Sequence, residues 1–132
     1  MTLNEYQDKA MTTCMDSCDN FAYMFINLVG EIGEFASKVA KHIRKEKAMI
    51  DSNALITERG INFLSEDEIY DLKAEAGDCL WQLAGLCKVM GWTLEEVAQE
   101  NLDKLASRQK RHVIDGEGDI IGNGQPDNDV PF

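Results

Sequence analysis

Residues 21–43 read FAYMFINLVGEIGEFASKVAKHI, and their spacing decides what kind of fold this chain can adopt. Phe21, Met24, Phe25, Leu28, Ile32, Phe35, Val39 and Ile43 recur at intervals of three and four. That period draws one apolar stripe along a helix and fits no strand. The stretch runs into the basic segment Lys38–Lys47, and cations there offset the negative end of a helix dipole. Beside the stripe sit Glu31 and Glu34, spaced i, i+3, so their carboxylates stand side by side on one helical face.

Outward toward the C-terminus, KAEAGDCLWQL (73–83) repeats the arrangement with Glu75 and Asp78. Ser65 and Glu68 form a capping box, and the pattern runs through Ile69, Leu72, Ala76, Leu80, Leu83 and Cys87 to a stop at Gly91. At about 100° per residue, Asn27, Glu31, Glu34 and Lys38 share one strip of the first helix. Asp71, Glu75, Asp78 and Gln82 share one strip of the second. Packing these helices together predicts a groove whose mouth carries four carboxylates. Such a set repels itself unless a hard divalent cation sits among it, and Mg²⁺ held by carboxylates implies a phosphate-bearing substrate. The alternative, an ordinary solvated acidic face, stays open on spacing alone. Gly30, Gly33 and Gly77 each cost up to about 1 kcal/mol inside a helix, which predicts a close approach of helix or ligand beside the acids.

The remaining chain completes an all-α bundle of four to five helices. A first helix starts at Thr2 with a Thr2–Glu5 capping box, and a last one starts at Thr93 with Glu96. Residues 48–64 show no sustained period and read as a connector with room for a short helix. Residues 1–112 form the domain, with 45–65 as an insertion, and 113–132 are a Gly/Asp-rich tail holding both prolines, Pro126 and Pro131. On the last helix Asn101, Lys104 and Arg108 recur on one strip with Arg111 a turn further on, a set suited to phosphates or to solvation. Asn27 and Gln82 are weaker candidates for nucleotide contact, since their amides can read a base edge. Trp81 is a third, its indole better placed for packing than for stacking on a base. His42 and His112 lack partners at ligand spacing, and no Walker loop, nucleophile elbow or Rossmann glycine pattern is present.

The net charge of −11 over 132 residues argues against a nucleic-acid duplex as partner, because duplex binding relies on clustered Lys and Arg. No apolar run approaches the roughly 18 residues that suggest a membrane span, and MTLNEYQDK lacks the pattern of a secretory signal. A cytoplasmic protein is expected. Cys14, Cys18, Cys79 and Cys87 show no Cys-x-x-Cys spacing and read as reduced, mostly buried thiols.

The ordered set E-x-x-E, then E-x-x-D within E-A-G-D-x-L-W, then N-x-x-K-L-x-x-R resembles the MazG-like nucleotide pyrophosphohydrolases. These belong to the all-α NTP pyrophosphatase superfamily. LVGEIGEFASKVAK (28–41), AEAGDCLWQL (74–83) and NLDKLASRQKR (101–111) carry the likeness, which runs from about Leu3 to Asp119. The resemblance implies a Mg²⁺-dependent hydrolase, with Mn²⁺ as a possible substitute, that converts a nucleoside triphosphate to the monophosphate and pyrophosphate. It implies Glu31, Glu34, Glu75 and Asp78 as catalytic metal ligands and Lys38, Asn101 and Lys104 as phosphate or supporting contacts. Arg108 and Arg111 are additions to that set. It also implies a homodimer or homotetramer. Forty residues separate Glu34 from Glu75, more than is usual for the family, and GEGDII (116–121) lacks the Asn and Arg of the family's G-x-G-D-N-R ending. Within the same superfamily, dUTP/dUDP and phosphoribosyl-ATP hydrolases are alternative readings. A non-catalytic helical regulatory protein is the alternative of another class.

Overall fold

The computed structural model describes residues 1–112; the 113–132 tail, with Gly116, Gly118 and Asp119, lies outside the described residues. Four α-helices carry the fold: α1 (Leu3–Met11), α2 (Phe21–Arg44), α3 (Glu66–Val89) and α4 (Leu94–Lys110). The Thr2–Glu5 and Ser65–Glu68 capping boxes both close, each satisfying two backbone N–H groups at a helix start. At Thr93 the hydroxyl accepts from Glu96 N at 3.1 Å, but the Glu96 carboxylate meets that same hydroxyl and not the backbone. A short 3-10 turn, Asp16–Cys18, leads to Asn20, whose side chain caps α2 at Tyr23 N.

The long helices α2 and α3 make the principal packing, with α1 against α3 and α4 against α1. Met24 of α2 is fully buried against Gly85 of α3, where an added Cβ would fall 2.3 Å from the Met24 sulfur. This glycine, not Gly30, Gly33 or Gly77, is the one that close approach demands. A Cβ at Gly33 or Gly77 meets nothing within 4 Å, and one at Gly30 meets just Asn27 Oδ1 at 3.4 Å. A second core knot joins Ala84, Cys87 and Leu94 to Tyr6, Met11 and Val97. Gln7, itself buried, pins the three elements there. Its amide donates to Ala84 O (3.2 Å) and Trp92 O (3.1 Å), and its carbonyl accepts from Leu94 N (3.0 Å), an otherwise orphan donor at the start of α4.

The α2 stripe is buried only in part: Met24 is inaccessible, while Phe21, Phe25 and Ile32, with Ile26 and Val29 beside them, are each half exposed or more. The expectation for the connector needs correction. The 48–64 connector holds no helix among the described residues. It folds as two antiparallel hairpins, β1 (Met49–Asp51) with β2 (Ala54–Ile56) and β3 (Glu58–Arg59) with β4 (Asn62–Phe63). Ser52 (φ 50°) and Asn53 (φ 65°) fill the first turn, and both positive φ values match a type I′ hairpin. Gly60 (φ 63°) opens the second. All four cysteines are free.

Candidate metal centre

Packing α2 on α3 aligns their acidic strips. Glu31, Glu75 and Asp78 each offer a carboxylate oxygen, and the three oxygens lie within 4.8 Å of one another. The donor set is all hard oxygen from two facing helices, which suits a divalent cation such as Mg²⁺ that keeps several of its own waters. Glu34, exposed and one helical turn along from Glu31, stands outside this trio. Glu31 is held by Asn27 Nδ2, which donates to its Oε1 at 3.1 Å.

Lys38 supplies positive charge to the trio. Its Nζ meets Glu75 Oε1 at 2.5 Å and Asp71 Oδ2 at 2.9 Å. The bonds to Glu75 and then Asp71 hold the Lys38 ammonium above the ordinary lysine range. The acids make themselves felt nearby. Burial, and then the charges of Glu31, Asp78 and Glu75, push the Cys79 thiol up. Burial and Asp78 do the same to the Tyr6 phenol.

The other sequence-predicted residues fall in several places. Gln82 is on the acidic strip but buried. Trp81 Nε1 is engaged by Ala10 O (3.1 Å) and Thr13 Oγ1 (2.9 Å), so the indole fastens α1 to α3. Asn101 and Lys104 line an open groove of about 420 Å³ with Trp92, Glu96, Val97 and Glu100, and none of the four acids lines it. Arg111 Nε donates to Ser107 Oγ at 3.3 Å near the end of α4, and Arg108 is half-buried on the same helix. Sequence reading missed Asp71 as a partner of Lys38 and Tyr23 as a neighbour of Asn27. The available signal for both was helical register, since Asp71 precedes Glu75 by one turn and Tyr23 precedes Asn27 by one.

Comparison with known proteins agrees with this frame. The model of the MazG nucleotide pyrophosphohydrolase domain matches residues 20–113, a span from the cap of α2 to just past the end of α4. The chain belongs to that family. It is also similar to the Gene 37 protein of Mycobacterium phage L5, 39% identical over 104 residues that cover 79% of each chain. No solved structure matches it. Among the described residues, no helix is long and apolar enough to cross a membrane.

Proposed function

We propose that the chain is a Mg²⁺-dependent nucleoside triphosphate pyrophosphohydrolase releasing a nucleoside monophosphate and pyrophosphate. The observation that carries this reading is the convergence of Glu31, Glu75 and Asp78 from facing helices, within a domain of nucleotide pyrophosphohydrolase type. A bound Mg²⁺, or Mn²⁺ in its place, would neutralise the triphosphate and make a coordinated water more acidic. Glu31, Glu75 and Asp78 would hold the cation. Glu34, outside the trio, would orient the attacking water or take its proton. Lys38 would hold charge that develops on the departing pyrophosphate, work of positioning and electrostatics.

Asn101, Lys104, Arg108 and Arg111 remain the proposed phosphate partners on α4. Because the groove lined by Asn101 and Lys104 contains none of Glu31, Glu34, Glu75 and Asp78, a second copy is the proposed means of uniting the two sets. The exposed apolar shoulder of α2 supports such an assembly.

Incubation with a panel of canonical, deoxy and damaged nucleotides, with Mg²⁺ or with a chelator, tests the reading through its products. Monophosphate and pyrophosphate in equal amounts, lost with the chelator, is the expected result. Release of inorganic phosphate alone, or no turnover of any member, would overturn it.

A further inference from the structure

Gln82 is 2% exposed, lies one turn beyond Asp78 on α3, and its Oε1 has no hydrogen-bond partner among the described residues. Leucine would fill such a place without burying polar atoms, so the amide calls for a role. The Tyr23 phenol on α2 is raised, first by the Cys18 sulfur, while Gln82 acts on it in the lowering sense. One turn further along α2, Asn27 Nδ2 reaches the Tyr23 hydroxyl at 3.5 Å and Glu31 Oε1 at 3.1 Å. A run of polar contacts thus leads along α2 from Tyr23 through Asn27 to the Glu31 carboxylate. An Asn side-chain amide carries two N–H groups, enough to serve both neighbours.

We propose that Tyr23 and Asn27 are positioning residues that orient the Glu31 carboxylate for the cation. The inference rests on the metal-centre reading above. A donor fixed on one carboxylate oxygen stops the group rotating and leaves the other oxygen for the ion. Partners of this kind commonly change metal affinity by about 10- to 100-fold.

Calorimetric titration of MgCl₂ and MnCl₂ into the full chain, without nucleotide, tests it. Asn27→Leu is expected to weaken binding by about 10- to 100-fold, and Tyr23→Phe to weaken it less, with metal-free melting still cooperative in both. Asn27→Gln, which keeps an amide N–H, should recover part of the loss. With 3-fluorotyrosine incorporated, the Tyr23 ¹⁹F resonance (assigned through Tyr23→Phe) should shift on Mg²⁺ addition in the parent protein and stay still in Asn27→Leu. If the parent binds cation and both variants bind it as tightly, with a silent Tyr23 resonance, the positioning role is wrong and the metal centre stands. If the parent itself binds neither cation, the metal-centre reading fails and the inference falls with it.

Discussion

At Gly85 the buried Met24 side chain of α2 occupies the space that a side chain on α3 would need. A methyl group there would sit 2.3 Å from Met24 Sδ and 2.5 Å from Cε, and Met24, fully buried, has no route to solvent. Overpacking of this kind costs about 1–3 kcal/mol, against roughly 1 kcal/mol gained in helix propensity. Gly85→Ala should therefore lower stability in urea denaturation, while Gly33→Ala and Gly77→Ala, which meet nothing, should raise it by up to about 1 kcal/mol. Composition alone marks a helical glycine as expensive; which glycine faces a neighbour is settled by packing, and so the sequence pointed to the wrong ones. Helical phase put Glu31, Glu34, Glu75 and Asp78 on two strips, and packing brings Glu31, Glu75 and Asp78 together while leaving Glu34 outside. Lys38 was legible as a strip residue, but not its pairing with Glu75 and Asp71, which depends on how the helices register. That pairing has a consequence. With Lys38→Met the acids lose their resident counter-charge, so the metal-free protein should melt lower and gain more from added Mg²⁺ than the parent does. An equal Mg²⁺ increment in both, read by thermal melting, would count against Lys38 as the built-in counter-ion.

Among the elements, the joint between α2, the hairpins and α3 hangs on Lys47 and Glu68. Lys47 Nζ meets Glu68 Oε1 at 2.6 Å, and the other oxygen of Glu68 accepts from Ser65 N at 2.9 Å in the α3 capping box. The Lys47 bond first, and the Ser65 N–H second, lower the Glu68 carboxyl from 4.5 to about 2. A depressed carboxylate contributes its stability above the unfolded value and loses it as pH falls. Stability from this pair is thus complete above about pH 4.5 and disappears toward pH 2. Lys47→Met should flatten that part of the acid-denaturation curve while leaving stability at higher pH less changed, since a half-exposed pair is partly screened by solvent. Gln7 ties α1 to α3 and α4, and Gln7→Leu should cost about 1–3 kcal/mol by leaving the Leu94 N–H buried and unpaired. The helices were readable from period and caps. The hairpins were not: strands of two or three residues are too short to show alternation, and Asp51-Ser52-Asn53 reads equally as a break or as a turn until a partner strand is in place.

For the molecule as a whole, the distribution of apolar surface argues for assembly. The acids flank one side of the buried line of α2, and Phe21, Phe25, Val29 and Ile32 flank the other, with Phe21 stacked on Phe25 at 5.6 Å. A lone protomer would present that shoulder to water, and contiguous apolar patches of this kind mark association sites. A net charge of −11 opposes self-association at low ionic strength, so added salt should favour the proposed assembly. Replacing Phe25 and Val29 by Glu should yield monomer in sedimentation velocity with helical content retained. If α4 of one copy serves the acids of another, that monomer should also lose turnover although every site residue is present. Mixing decides the point directly. Glu75→Gln and Lys104→Met proteins, each inactive alone, should on subunit exchange form mixed dimers with one intact site, restoring about a quarter of parental activity for random pairing in a two-fold assembly. No recovery after verified exchange would place α4 and the acids of one site within a single protomer. The apolar shoulder of α2 would then be an interface without a catalytic part.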